Sequence, residues 1–191
     1  MAKTKPKPKI ERICMDCPEA SGFYDEPKGK NADQTKILFV LHRPDRRVVP
    51  ALPGFNGHET ALLKTATGRV LGSVLRGAGL TFNDVYITNL YKCMLPNDRE
   101  PVDYEYHRCI RVFEKQIADF QPRCMVLFGG KALELLCNSQ INHHEGELFS
   151  YCPPSYERVL ALAMHHPSAP WLKGKYLEGY VRKIRDYLIE D

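Results

Sequence analysis

The chain has 191 residues, of which 43% are hydrophobic and 26% are charged, a composition typical of one soluble globular domain. No apolar run approaches the ~20 residues that a membrane-spanning helix needs, which argues against a membrane protein. Seven cysteines, an odd number, argue against a disulfide framework and favour metal or cluster ligation by some of the thiols. The net charge of +4 agrees with a polyanionic partner but does not establish one.

Residues 1–9 are rich in lysine and proline and lack the apolar stretch of a signal peptide, so they predict a disordered basic arm. Residues 10–191 are expected to form a single domain. We expect a cytoplasmic monomer that does not associate with membranes.

Four short apolar runs predict buried strands, because consecutive aliphatic residues are expected where both faces of a parallel sheet are covered. These runs are Ile37–Leu41, Val85–Thr88, Met125–Phe128 and Val159–Met164. Helical spacing of apolar residues occurs around Leu71 to Leu75, from near Pro101 to Ile117, over Lys131–Leu136, and from about Gly174 onward. The alternation predicts a doubly wound, three-layer α/β/α fold with a four-stranded, mostly parallel central sheet.

In such sheets, ligands bind beyond the carboxyl ends of the strands. Polar residues or paired glycines follow each predicted strand: His42 to Asp45, Asn89, Gly129-Gly130, and His165 to Ser168. The sequence therefore predicts that the functional site is built from these segments.

Cys14 and Cys17 form a CxxC pair, a spacing that aims two thiolates at one point. Cys93 follows the second strand and Cys109 lies on the next predicted helix, so four thiolate ligands could be completed. Spacing alone does not choose between zinc and an iron–sulfur cluster. The alternative for Cys93 and Cys109 is that they are small buried hydrophobic residues.

The segment Val85-Tyr-Ile-Thr-Asn89-Leu-Tyr-Lys92-Cys93, followed by Pro96-Asn-Asp-Arg-Glu-Pro101, resembles the iron–sulfur (family 4) branch of the uracil-DNA glycosylase superfamily. All four cysteines stand at that family's spacing, and His166-Pro167-Ser168 is similar to its His-Pro-Ser loop. The resemblance covers residues 10–190. It implies a DNA glycosylase with a structural 4Fe-4S cluster held by Cys14, Cys17, Cys93 and Cys109, and it gives Cys124, Cys137 and Cys152 no role.

The resemblance also implies roles for residues near the strand ends. The Asn89 amide offers a donor and an acceptor that match the pairing edge of uracil, although an Asn after a strand can also cap a turn. His166 would stabilise negative charge on the departing base, unless it is a capping or core histidine. Ser168, Trp171 and Lys173 are expected to contact DNA, while a lone Trp is more often a packing residue.

The first family motif departs from the resemblance. Leu41-His42-Arg43-Pro44-Asp45 stands where iron–sulfur relatives usually carry Gly-Glu-Ala-Pro-Gly. His42 occupies the acid's position and is expected to act as a general base, with Asp45 holding water or stabilising the sugar cation. Phe55 or Leu63 is expected to pack on the extruded base, unless Leu52–His58 is simply a surface loop.

Together these features predict hydrolysis of the N-glycosidic bond of an extruded uracil or modified pyrimidine in DNA, leaving an abasic site for base-excision repair. No lysine stands at a position that the family uses for Schiff-base chemistry, so lyase activity is not expected. An alternative is a glycosylase for a bulky modified base, such as that of hypermodified phage DNA, with a role in defence. A second alternative is a catalytically inactive DNA-binding relative.

Overall fold

Five strands form one sheet in the computed structural model, which describes residues 28–44, 62–138, 145–153 and 157–190. The strands are β1 (Ile37–Leu41), β2 (Val85–Asn89), β3 (Cys124–Phe128), β4 (Leu148–Tyr151) and β5 (Val159–Met164). Their spatial order is β2-β1-β3-β5-β4. Strands β2, β1, β3 and β5 run parallel to one another, and β4 pairs with β5 in the antiparallel direction at one edge of the sheet.

Among the described residues, one short α-helix precedes β1, three α-helices lie between strands and one follows β5. They are α1 (Ala32–Thr35), α2 (Ala66–Gly77), α3 (Asp103–Phe120), α4 (Gly130–Cys137) and α5 (Lys175–Glu190). Thr65 caps α2 by accepting a hydrogen bond from the Gly68 backbone N–H at 3.0 Å. Within the described residues, every helix is too short or too polar to cross a lipid bilayer.

Helices cover both faces of the sheet, so the protein has three layers. Alternate residues of β1 point to opposite faces, with Ile37 and Phe39 in one core and Leu38 and Val40 in the other. The first core is completed by side chains of α2 and α5: Leu71, Val74, Leu75, Tyr180, Ile184 and Leu188. The second is completed by side chains of α3 and α4: Phe113, Ile117, Phe120, Ala132 and Leu133.

The predicted α/β/α fold is confirmed, but the prediction of four strands missed one. All of β1, β2 and β3 is buried, and most of β5, which is why these segments read as continuous apolar runs. In β4, by contrast, Leu148 is 53% exposed and Tyr151 is buried. A four-residue edge strand of this kind lacks the apolar run that marks a central strand.

Candidate active site

The loops after β1 and β2 are joined to each other by backbone hydrogen bonds. Leu41 pairs in register with Asn89 at the carboxyl ends of the two strands. Beyond this pair, the Leu90 N–H donates to the Leu41 carbonyl and the Tyr91 N–H donates to the His42 carbonyl, both at 2.9 Å. Asn89 and His42 are therefore held on neighbouring strand ends, as predicted from the sheet topology.

Asn89 is 6% exposed and lies beside a chain of buried polar groups. The fully buried Lys92 ammonium donates to Thr88 Oγ1 at 2.5 Å, and that hydroxyl donates to Gln116 Oε1 at 3.2 Å. Gln116 in turn donates to the Tyr86 hydroxyl at 2.9 Å. These hydrogen bonds join β2 to α3. Since Thr88 precedes Asn89 and Lys92 follows it, the backbone is held on both sides of Asn89.

His166 lies on the loop after β5, against the turn that follows β3. Its Nδ1 lies 2.8 Å from Ser168 Oγ and accepts a hydrogen bond from the Ser168 backbone N–H at 3.3 Å. Burial, and next the charge of His42, lower the pKa of His166 to about 4. The imidazole is therefore neutral at pH 7, and with Nδ1 accepting, its proton resides on Nε2.

Gly129 lies in the turn that packs against His166. Its φ is 97°, and its N–H donates to the Met164 carbonyl at 2.8 Å. A Cβ at this position would lie 3.4 Å from the His166 Cβ, an ordinary van der Waals distance. The glycine is therefore required for the backbone conformation of this turn rather than for space.

Gly129→Ala is expected to lower the rate of base release about tenfold, because backbone strain at residue 129 shifts His166. It should also cost about 1–3 kcal/mol in the free energy of unfolding. Gly79→Ala is the matched control, since Gly79 also has a positive φ (71°) but a Cβ there would meet nothing within 4 Å. Equal rates for the two variants would show that Gly129 does not position His166.

His42 contacts Tyr106 and Glu100, neither of which was predicted from the sequence to lie in the site. Its Nε2 is hydrogen-bonded to the Tyr106 hydroxyl, and the two rings lie nearly parallel, at 15°, with centroids 5.8 Å apart. The Glu100 carboxylate lies 3.8 Å from the same nitrogen. Burial is the main cause that lowers the pKa of His42, and Arg43 and Lys131 lower it further while Glu100 opposes them.

The segment that carries Glu100 is itself anchored to α3. Arg99 donates to both oxygens of the buried Glu105 carboxylate, at 2.7 and 2.9 Å, and Glu105 Oε2 accepts from the Val102 N–H at 2.8 Å. The Arg99 hydrogen bonds are the main reason that the pKa of Glu105 is lowered. Arg43 reaches Glu100 at 3.4 Å, so this anchored segment holds the loop after β1.

Trp171 lies on the surface beyond the His166 loop. Its ring meets the His165 ring edge-on at 4.8 Å and Tyr176 at 6.2 Å. Trp171 is 46% exposed, Tyr176 is 72% exposed, and Lys173 between them is also exposed. These exposed aromatic and basic side chains, beside Ser168, are chemically suited to contact nucleic acid.

Cys93 and Cys109 are both buried in a small cluster separate from the two main cores. The other members of the cluster are Tyr91, Leu95 and Tyr106. Cys14 and Cys17, the other two predicted ligands, lie outside the described residues. Among the described residues, no group of three or more His, Cys, Asp or Glu side chains is arranged to hold a metal ion.

The predicted packing of Leu63 on the extruded base stays a prediction. Leu63 lines a groove of about 470 Å³ along α2 with Arg69, Gly72, Ser73, Arg76 and Phe82. Two further predicted residues, Asp45 and Phe55, lie outside the described residues.

A buried amide and two imidazoles lie beyond the strand ends of this doubly wound sheet, which is where enzymes of this α/β class bind their ligands. The sequence matches the family model of the uracil DNA glycosylase superfamily over residues 26–184, and the chain belongs to that superfamily. The predicted family resemblance is therefore confirmed, and the chain is assigned to the DNA glycosylases.

Relatives of known class cover most of the chain. It is 29% identical over 173 residues to a type-4 uracil-DNA glycosylase of Archaeoglobus fulgidus. The aligned region covers 87% of this chain and 82% of that protein. It is 25% identical over 187 residues to a type-4 uracil-DNA glycosylase of Saccharolobus solfataricus. The aligned region covers 93% of this chain and 82% of that protein. A similar protein of the same type from Sulfurisphaera tokodaii is 28% identical over 172 residues, which is 84% of this chain and 74% of the relative.

Proposed function

We propose that this chain hydrolyses the N-glycosidic bond of uracil in DNA and leaves an abasic site, acting as a monomer in the cytoplasm. The observation that carries the proposal is the position of Asn89 and His166 at the carboxyl ends of parallel strands, in a member of this superfamily. The type-4 relatives support uracil as the base.

The chemistry divides between these two residues. The Asn89 amide can donate to one atom and accept from another on the pairing edge of uracil, once the nucleotide is extruded from the stack. The Nε2–H of neutral His166 would donate to the oxygen that gains charge as the base departs. A neutral donor fits this task because it need not lose a proton, and its orientation is set beforehand by Ser168.

We propose that Cys14, Cys17, Cys93 and Cys109 hold a 4Fe-4S cluster. The burial of Cys93 and Cys109 in one apolar cluster fits two adjacent ligands, because a cluster of this kind needs thiolates shielded from water. When bound, the cluster would supply structural cross-linking rather than chemistry at the sugar. It would tie the N-terminal segment to the start of α3, which also carries Tyr106.

We propose that DNA lies across the Trp171, Lys173 and Ser168 surface. Exposed aromatic rings can stack on bases without sequence preference, and a lysine can contact the phosphates. In the free protein the Ser168 hydroxyl lies 2.8 Å from His166 Nδ1, and on binding DNA it would turn to donate to a phosphate while the backbone N–H keeps its bond to His166. This arrangement brings the strand that carries the extruded base to the same edge of the sheet as Asn89.

Release of free uracil from single- and double-stranded DNA by the purified, cluster-loaded protein is the direct test. Wild-type protein is expected to release uracil, and Asn89→Ala is expected to lose discrimination between uracil and cytosine. Mass spectrometry of the bases released from a panel of DNAs with modified pyrimidines distinguishes this function from the alternative of a glycosylase for a bulky modified base. Release of a bulky modified base without release of uracil would replace the substrate, and release of no base at all would leave a DNA-binding relative.

A further inference from the structure

The buried hydroxyl of Tyr106 has one polar partner among the described residues, Nε2 of His42. Tyr106 is 3% exposed and packs in a buried cluster with Tyr91 and Leu95. The His42 ring lies nearly parallel to the Tyr106 ring, at an interplanar angle of 15°, and the Lys131 ammonium lies 5.3 Å from the Tyr106 ring centroid. The ring therefore has little freedom to turn its hydroxyl toward another acceptor.

Counting protons fixes the direction of this hydrogen bond. A tyrosine hydroxyl carries its proton at neutral pH, and a neutral imidazole has one N–H and one acceptor nitrogen. If Nε2 of His42 carried the proton, the buried Tyr106 hydrogen would have no acceptor in the described part of the chain. Since an unmatched buried donor is unfavourable, Tyr106 donates to Nε2 and the proton of His42 resides on Nδ1.

The charged groups around His42 do not oppose this assignment. Glu100, at 3.8 Å from Nε2, would favour a charged imidazolium, but its carboxylate is 66% exposed and is shared with Arg43 at 3.4 Å. Burial, Arg43 and Lys131 all lower the pKa of His42 and so disfavour a positive charge on its ring. The neutral ring is therefore the form that meets the substrate.

We propose that Tyr106 is a positioning residue that holds His42 as a neutral Nδ1–H donor toward an oxygen of the departing base. This proposal rests on the proposed glycosylase function, and it changes the role expected for His42 from the sequence. A general base must accept a proton, but Nε2 is occupied by Tyr106 and Nδ1 already carries one. His42 and His166 would then act alike, each with one nitrogen held by a hydroxyl and the other donating.

Three replacements of His42 separate a donor from a base. The Asn amide nitrogen takes the place of Nδ1 and the Gln amide nitrogen takes the place of Nε2, and neither amide can act as a base. In single-turnover release of uracil, His42→Ala and His42→Gln are expected to be slower by ~10². His42→Asn is expected to stay within about tenfold of wild type. If His42→Asn is as slow as His42→Ala, the donor role is overturned.

The tautomer can be measured without any activity. In holoprotein labelled with ¹⁵N-histidine, long-range ¹H–¹⁵N spectra at pH 7 are expected to show His42 protonated at Nδ1, with its signals assigned by their loss in His42→Asn. Tyr106→Phe should shift His42 toward the Nε2–H form and slow base release. Tyr104→Phe is the control, since Tyr104 is 51% exposed on the same helix, and it should change neither.

An Nε2–H tautomer or an imidazolium in the wild-type spectrum would overturn the role of Tyr106. These spectra stand apart from the substrate: protein that releases no base but shows the Nδ1–H form would refute the proposed function and keep the positioning of His42. Uracil release together with an Nε2–H form would keep the proposed function and refute the positioning of His42 by Tyr106.

Discussion

Replacing His166 with alanine is expected to lower the single-turnover rate of base release by ~10²–10³, the usual cost of removing one preoriented donor to a developing anion. Three observations place the donor: Nδ1 accepts from Ser168, the pKa is lowered to about 4, and the turn at Gly129 packs against the ring. Binding of substrate should change little, because the charge that His166 stabilises develops only as the bond breaks. Rates at saturating enzyme and the dissociation constant for DNA, measured together, test this separation.

Two further variants define the origin of the effect. His107→Ala removes an exposed imidazole from α3 and should leave the rate unchanged. Ser168→Ala should give an intermediate loss, because the hydroxyl is removed while the backbone N–H still donates to Nδ1. A His166→Ala enzyme with the wild-type rate would remove His166 from the mechanism, whatever the base.

The fold and the location of the site could be predicted from the sequence because both depend on local patterns. Strands covered on both faces require apolar residues in succession, and parallel strands bring their carboxyl ends to one edge. These two rules place Asn89 and His166 at that edge, and the family resemblance supplies the roles expected of them. The edge strand β4 could not be recognised, because partial exposure leaves only a weak pattern in four residues.

The surroundings of His42 could not be predicted, because they depend on contacts between distant segments. Tyr106 lies 64 residues from His42, and its direction is set by the packing of α3 against the loop after β2. One signal was present: Tyr106 precedes Cys109 by three residues, so the two share a face of the helix. This spacing places Tyr106 on the helix face that carries Cys109, but it does not indicate that the Tyr106 hydroxyl reaches the first motif.

If Cys93 is a ligand of the proposed 4Fe-4S cluster, Cys93→Ser is expected to have the largest effect on stability, with loss of the visible absorbance, iron and sulfide of that cluster. The free energy with which cysteine thiolates bind a structural metal centre contributes directly to folding. The variant should therefore lose several kcal/mol in its free energy of unfolding. Cys109→Ser should behave in the same way, since both thiols lie in the same buried cluster. Iron and sulfide analysis of protein prepared without oxygen, together with urea unfolding, measures both effects.

Cys124→Ser is the matched control for Cys93→Ser. Cys124 is 0% exposed in the central strand β3, compared with 3% for Cys93, so both variants bury a hydroxyl in place of a thiol. Cys124→Ser should cost about 1–3 kcal/mol and keep its iron. Equal losses in the two variants, with iron retained in both, would show that Cys93 is a packing residue. Zinc in place of iron would keep the four-thiolate site and change its occupant, because zinc accepts the same ligands.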